Sequence, residues 1–131
     1  MKTYLLDTNI CIFYIKNHSH IVDKIKKVGF NACCISEITL AELLFGAENS
    51  QHIVKNRTAV QNIQNNFEII PIFEALDIYA KEKARLRKIG TPVDDFDLLI
   101  GATAIAHDLT MVTNNIKHFD RLEGICLEDW S

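Results

Sequence analysis

The sequence predicts an α/β fold with a mostly parallel central sheet flanked by helices. Short apolar stretches alternate along the chain with longer segments whose apolar residues recur at helical spacing. Because a helix-length segment separates successive strands, the strands are expected to run parallel. The 131 residues fit one domain with a single core, and no internal repeat or linker interrupts them.

The N-terminal part is predicted to begin with two strands separated by two helices. Residues 3–6 (TYLL) form a short buried strand that ends at Asp7, and a helix follows over 8–17. Residues 19–28 form the second helix, because their apolar side chains recur at helical spacing. The apolar stretch 32–35 (ACCI) is the second strand.

The second strand leads into a helix over 37–48. Ser36 is a good N-cap, because its hydroxyl can accept a hydrogen bond from a backbone N–H of the first turn. The helix is apolar on more than one side, so we expect it to be buried or to supply part of an interface with a second copy or another protein. A further helix is predicted over 52–66.

The third strand, 68–72 (EIIPI), contains Pro71, which indicates an edge position or an early end. A long helix is predicted over 73–88, and Gly90 closes it. The next helix runs to about His107. A fourth strand with a polar end (TMVTNN) and a short fifth strand (near ICLEDW) are predicted over 110–115 and 125–130.

Three aspartates stand at the start of the helix before His107. Asp94 is predicted to be its N-cap, with Asp97 at capping-box distance, and Asp95 favours the positive end of the helix dipole. Asp97 shares a face with Gly101 and Ala104, which would let the helix pack closely and direct this carboxylate toward the strand ends. Capping alone is the alternative explanation of the cluster.

The composition limits the possible partners. The net charge of −3 provides no general basic field, so a nucleic acid would be met by a local patch or through a metal ion. No apolar run is long enough for a membrane span, and no signal-peptide cleavage site is visible. The four cysteines show no C-x-x-C spacing, which favours reduced thiols in a cytoplasmic protein and disfavours zinc.

Acidic and hydroxyl side chains are predicted to gather at one edge of the sheet, because parallel strands place their carboxyl ends together. Asp7 and Thr113 end two of the strands. Glu42 lies among leucines and alanine, where an unpaired carboxylate would be costly to bury. A cation shared with Asp7 and Asp97 would compensate it, whereas the alternative places Glu42 on the wet face of its helix.

Oxygen ligands of this kind suit Mg²⁺ or Mn²⁺. Such an ion can bind a phosphodiester, lower the pKa of a water molecule and stabilise charge in the transition state. The residues themselves therefore indicate metal-assisted phosphodiester hydrolysis.

The sequence resembles the PIN-domain ribonucleases, and in particular the VapC toxins of bacterial VapBC toxin–antitoxin pairs. The resemblance spans nearly the whole chain in the order and spacing of that family. It is carried by LLDTNICIFYIKN, CISEITLAELLFGAENS, GTPVDDFDLLIGATA, MVTNNIKHFDRLEG and LEDWS.

The resemblance implies a three-layer PIN-like fold in a single domain over 1–131. It also implies that the metal-binding and catalytic acids are Asp7, Glu42 and Asp97. The small hydroxyl positions around them are Thr8, Ser36 and Thr113. Asn114 and Asn115 stand where the family often has a fourth acid, so one firmly held ion is expected, and a second only with substrate bound.

The biology of the family supplies further expectations. The chain would be a Mg²⁺-dependent endoribonuclease toxin of a type II system, a homodimer inhibited by a VapB antitoxin that covers the acidic site. Operator DNA would be contacted only through the antitoxin. The stretches LLDTNICIF and LEDWS are similar to those of the enteric subgroup that cuts initiator tRNA in the anticodon stem-loop. The resemblance therefore implies that translation is the process inhibited.

Basic residues near the site are candidates for RNA binding. Lys81, Arg85 and Lys88 share one face of the helix 73–88, although Glu82 is interleaved and the face could simply be solvated. A second candidate patch follows the fourth strand and consists of Lys117, His118 and Arg121. Trp130 is expected to be a core or interface anchor rather than a platform for base stacking.

Three other functions compete with this interpretation. A phosphoacceptor receiver domain would need an acidic pair after strand one and a lone aspartate after strand three, which the sequence lacks. A non-catalytic PIN-like binding module is disfavoured because the acids at 7, 42 and 97 are intact. A PIN nuclease acting on another RNA or on structured DNA shares the chemistry and differs only in its target.

Overall fold

The sheet of this protein has five parallel strands in the order β3–β2–β1–β4–β5, as seen in a computed structural model that describes residues 3–131. The first strand is central, with the second and fourth on either side. The predicted α/β fold with a mostly parallel sheet is confirmed. The strands are β1 (Tyr4–Leu6), β2 (Cys33–Ser36), β3 (Glu68–Ile70), β4 (Thr110–Val112) and β5 (Cys126–Glu128).

Seven α-helices connect these strands within the described residues. They are α1 (Thr8–Ile15), α2 (Ser19–Val28), α3 (Glu37–Glu48), α4 (Ile53–Asn66), α5 (Leu76–Lys88), α6 (Asp95–Ala106) and α7 (Ile116–Phe119). Six of them were predicted. The seventh was missed because its four residues are too few to carry a helical period.

The boundaries differ from prediction where local geometry changes. The helix predicted from residue 73 begins at Leu76, since Phe73–Ala75 form a 3₁₀ turn. The first helix stops at Ile15, and Asn17 adopts a left-handed φ of 63°, which cannot continue a helix. Pro71 directly follows β3 at the edge of the sheet, as predicted.

Helices pack on both faces of the sheet. Successive side chains along a strand point to opposite faces, so neighbouring residues join different apolar clusters. Cys33 belongs to one apolar cluster with Leu6, and Cys34 belongs to the other with Leu5. All four cysteines are free thiols. Trp130 is buried against Tyr4, with ring centroids 4.9 Å apart, so it is an anchor of the core.

The third and sixth helices carry two of the three predicted site acids, Glu42 and Asp97. In α3 only one side is fully buried, and Phe45 is 68% exposed, so this helix is not enclosed all round. In α6 the small residue Gly101 lies against Leu122 and Ile125, whose side chains would come within 3.4–3.5 Å of an added Cβ. The small residues therefore allow close packing against the segment that leads to β5.

A buried ion pair joins α5 to that same segment. Glu82 is 7% exposed and accepts hydrogen bonds from Arg85 Nε (2.7 Å) and Nη2 (2.9 Å) and from the backbone N–H of Glu123 (2.7 Å). Arg85 Nη2 also donates to the carbonyl of Arg121 at 2.7 Å. Hydrogen bonding to Arg85 lowers the pKa of Glu82, which stays charged in this setting.

Glu82→Ala is expected to lower the free energy of unfolding by about 2 kcal/mol, because it leaves an N–H and a guanidinium without their acceptor. Urea denaturation followed by circular dichroism measures the change. Glu123→Ala is the matched control, because the Glu123 carboxylate is exposed and its contact with Arg85 Nε is long, at 3.8 Å. Equal stability of both variants would show that the buried contacts contribute nothing.

No helix within residues 3–131 has both the length and the apolar character needed to cross a membrane.

Candidate active site

Asp7 lies at the carboxyl end of β1 and is the N-cap of α1. Its Oδ1 accepts a hydrogen bond from the Thr8 backbone N–H at 2.8 Å, and its Oδ2 accepts one from the Thr113 hydroxyl at 2.9 Å. The residue is 5% exposed. Both oxygens are therefore oriented by the fold before any ligand arrives.

Glu42 lies on α3 and is turned toward the start of α1. Its Oε1 accepts a hydrogen bond from the Thr8 hydroxyl at 2.7 Å, and the Thr39 hydroxyl lies 3.1 Å from that of Thr8. Thr8 thus connects the first two acids, through its N–H to Asp7 and through its hydroxyl to Glu42. Glu42 is half-buried and is held by this contact.

The aspartate cluster divides into residues with separate contacts. Asp94 is the N-cap of α6, as predicted, and accepts a hydrogen bond from the Phe96 N–H at 3.2 Å. Asp95 pairs with Lys83 at 2.9 Å and accepts a hydrogen bond from the Tyr79 hydroxyl at 3.0 Å. Its pKa is lowered mainly by the Lys83 contact. These two carboxylates are therefore used in capping α6 and in tying it to α5.

Asp97 makes a different contact. Its Oδ2 lies 3.1 Å from Nε2 of His118, and its side chain is 34% exposed. His118 was predicted to belong to a basic patch with Lys117 and Arg121, and its contact with an acid was not predicted. The two residues are 21 positions apart on different helices, so no local spacing could have shown the contact.

Two of the three acids have raised pKa values. Burial raises the pKa of Asp7 to about 6, against the lowering effect of the hydrogen bonds from Thr113 and Thr8, and the charges of Asp97 and Glu42 raise it further. Burial also raises the pKa of Glu42, with smaller upward contributions from Asp97 and Asp94. This concentration of negative charge would be relieved by a bound cation.

The donor set fits a hard divalent ion that keeps part of its water shell. Within residues 3–131, no three His, Cys, Asp or Glu side chains form a complete preformed metal cluster. Mg²⁺ usually binds proteins through one or two carboxylates and retains several waters, so it does not need such a cluster. Asp7, Glu42 and Asp97 are the residues that would hold it.

The predicted supporting residues occupy distinct positions. Ser36 is fully buried and caps α3 by accepting from the Ile38 N–H at 3.1 Å. The Thr113 hydroxyl, which donates to Asp7, also accepts from the Asn115 N–H at 3.0 Å. Asn114 and Asn115 are both exposed just after Thr113. Their roles toward an ion stay predictions.

The predicted RNA-binding residues differ in availability. Lys81 is exposed and pairs with Asp77 at 3.0 Å, whereas the Arg85 guanidinium is held by Glu82 and the Arg121 carbonyl. Lys88 and Lys117 are exposed. Lys88 and Lys117 are therefore better placed than Arg85 to meet a phosphate.

Comparison with known proteins gives a consistent result. The family model of the PIN domain matches residues 4–125. The chain is 37% identical to the tRNA(fMet)-specific endonuclease VapC of Salmonella typhimurium, covering 99% of both chains. It is 36% identical to the Shigella flexneri protein of the same name, covering 100% of both, and 36% identical to Ribonuclease VapC2 of Rickettsia felis, covering 97% of both.

Solved structures agree with these relatives. The DNA-bound VapBC structure from Salmonella typhimurium matches with a TM-score of 0.93 and 38% identity, covering 100% of both chains. The Rickettsia felis VapBC2 structure, bound to a promoter DNA fragment, matches with a TM-score of 0.92 and 33% identity, covering 98% of this chain and 99% of that one.

Proposed function

Because the chain belongs to the VapC ribonuclease toxins of the PIN-domain family, we propose that it is a Mg²⁺- or Mn²⁺-dependent endoribonuclease of a type II toxin–antitoxin system. It hydrolyses phosphodiester bonds in RNA and so inhibits translation. The observation that carries this proposal is that Thr8 joins two of the acids, through its N–H to Asp7 and through its hydroxyl to Glu42, while the charge of Asp97 raises the pKa of Asp7.

The residues at the acidic edge have different proposed roles, which follow from their surroundings. Asp7 and Asp97 would hold the cation, and Thr8 and Thr113 fix the orientation of Asp7 through their hydrogen bonds. A divalent ion held there would supply polarisation of the phosphodiester and a lower pKa of a water molecule. Glu42, whose pKa is raised by burial, is suited to contribute to metal binding and to accept a proton from the attacking water.

Initiator tRNA is the proposed substrate, with cleavage in the anticodon stem-loop. Support comes from the two relatives named tRNA(fMet)-specific endonuclease, each matched over essentially its whole length. The second candidate is another RNA, because the equally similar Rickettsia felis relative is named only as a ribonuclease. A non-catalytic module is disfavoured by the arrangement of the acids.

A VapB-type antitoxin is the proposed inhibitor, and it would cover the active site. The matched structures from Salmonella typhimurium and Rickettsia felis are VapBC structures with DNA, which supports operator contact through the antitoxin. A cavity of about 270 Å³ lined by Ile12, Leu43 and Val60 has Glu42 in its wall, and an apolar segment could occupy it. The toxin itself is proposed to be a cytoplasmic homodimer.

The test is to incubate the purified chain with total cellular RNA, with and without Mg²⁺, and to sequence the new ends. Discrete Mg²⁺-dependent cuts that an Asp7→Asn variant does not make would establish the ribonuclease. Cuts confined to the initiator tRNA anticodon stem-loop support the first substrate, and cuts elsewhere support the second. A folded chain that cuts no RNA under these conditions would contradict the proposal.

Lys88→Glu combined with Lys117→Glu is expected to weaken RNA binding by at least tenfold, because each reversal replaces a phosphate attraction with repulsion. Binding is measured with catalytically inactive protein at two salt concentrations, and the salt dependence should also decrease. Lys55→Glu, on the exposed side of α4, is the control. Unchanged RNA affinity would show that these lysines are solvated side chains that do not contact RNA.

A further inference from the structure

The contact between His118 and Asp97 is not used in the chemistry described above. Their side chains are 24% and 34% exposed, so the pair is partly shielded from water. An ionised carboxylate only accepts hydrogen bonds, so Nε2 of His118 carries the hydrogen that it donates to Oδ2 of Asp97. The imidazole therefore fixes one oxygen of this acid and leaves the other available.

The fold places this imidazole with little freedom. Phe119 is 1% exposed and anchors α7 in the core, and the ring of His118 meets it edge-on at 5.1 Å between centroids. At the start of α7, the Asn115 N–H donates to the Thr113 hydroxyl, which donates in turn to Asp7. The short helix is thus joined to one acid at its start and to another acid through His118.

We propose that His118 is a positioning residue, which orients the Asp97 carboxylate so that its free oxygen can bind the divalent cation. The inference rests on the proposed metal-dependent function. Groups that hydrogen-bond to a metal-binding side chain fix its orientation, and their loss commonly weakens metal affinity 10- to 100-fold. The same contact removes His118 from the basic patch in which its sequence position had placed it.

The Mn²⁺ affinity of the full chain, measured at pH 7.5 from the electron paramagnetic resonance signal of free Mn²⁺, tests this proposal. His118→Ala is expected to raise the Kd by about 10- to 100-fold. His118→Gln, which keeps an N–H donor, should restore part of the affinity. His107→Ala, at the exposed end of α6, is the matched control and should leave the Kd unchanged.

A double-mutant cycle distinguishes positioning of Asp97 from a general loss of structure. In an Asp97→Asn background, His118→Ala should cost nothing further, because the carboxylate that it orients is already gone. An additional loss of the same size in that background would overturn the proposal. Thermal unfolding of each variant identifies any that fail to fold. If His118→Ala does not fold, the same comparison is made with His118→Gln, alone and combined with Asp97→Asn.

Two other outcomes would overturn the inference. An unchanged Kd in folded His118→Ala would mean that the contact does not affect the site. A ¹⁴N coupling in the Mn²⁺ spin-echo spectrum of the wild-type chain, typical of a directly coordinated imidazole, would make His118 a ligand instead. A wild-type chain that binds no Mn²⁺ would fail at an earlier step and contradict the proposed metal-dependent function itself.

Discussion

Asp97→Asn is expected to lower RNA cleavage by roughly 10²–10³-fold while the protein remains folded. An amide oxygen binds a divalent cation more weakly than a carboxylate, so the site loses both charge and affinity. The side chain is partly exposed and its replacement has nearly the same shape, so stability should change little. Initial rates of cleavage at saturating Mg²⁺ measure the effect.

Asp95→Asn is the control for this variant, because it stands two positions away in the same cluster. Its carboxylate contacts Lys83 and Tyr79 instead of the other acids, so cleavage should stay within a few-fold of wild type. If the two variants lost activity equally, the assignment of Asp97 as the metal-binding member of the cluster would be wrong. Full activity of Asp97→Asn would remove it from the site.

Asp7→Asn is expected to stabilise the metal-free protein at neutral pH while abolishing cleavage. The pKa of Asp7 is raised from 3.8 to about 6 in the folded chain, so folding disfavours its ionised form. A difference of about 2 pH units corresponds to roughly 3 kcal/mol. The amide keeps one acceptor but places a donor where the other was, which offsets part of the gain and leaves about 1–2 kcal/mol.

The pH dependence has a definite sign. A folded-state pKa above the unfolded one gives stability that is present at about pH 4 and is lost as the pH rises through about 6. The variant should therefore exceed wild type above about pH 6 and lose its advantage at about pH 4. Urea denaturation without metal at several pH values measures this. Asp23→Asn, on the exposed side of α2, is the control.

Added Mg²⁺ should reverse the ranking of the two proteins. A cation that binds the folded wild type stabilises it by mass action, whereas the Asp7→Asn variant lacks a carboxylate that we propose binds the ion. The melting temperature of wild type should rise with Mg²⁺ concentration at pH 7.5, and that of the variant should not. Equal responses of the two proteins would show that Asp7 takes no part in binding the ion.

The sheet and most of the acidic edge were predictable because their signals are local. The alternation of short apolar stretches with helical segments predicted a mostly parallel sheet with a short fifth strand, and Pro71 correctly indicated an edge. Asp7 follows a strand directly, so its position at the sheet edge needed no three-dimensional information. The N-cap role of Asp94 was equally visible, since capping depends on neighbours along the chain.

Contacts between distant segments could not be predicted from local patterns. Arg85 shares a helical face with two lysines, yet its guanidinium is committed to Glu82 and to a carbonyl 36 positions along the chain. His118 was assigned to a basic patch because Lys117 and Arg121 are close to it in sequence, yet its side chain contacts Asp97. In both cases the charge pattern was correct, but the partner of each charge was set by tertiary packing.

The position of β1 at the centre of the sheet has a consequence for synthesis of the toxin on the ribosome. This strand pairs with β2, which emerges soon after it, and with β4, which emerges late. The hydroxyl that orients Asp7 belongs to a residue 106 positions downstream. A nascent chain therefore cannot pair β1 on both sides, or orient Asp7 through Thr113, until nearly all of it has been translated.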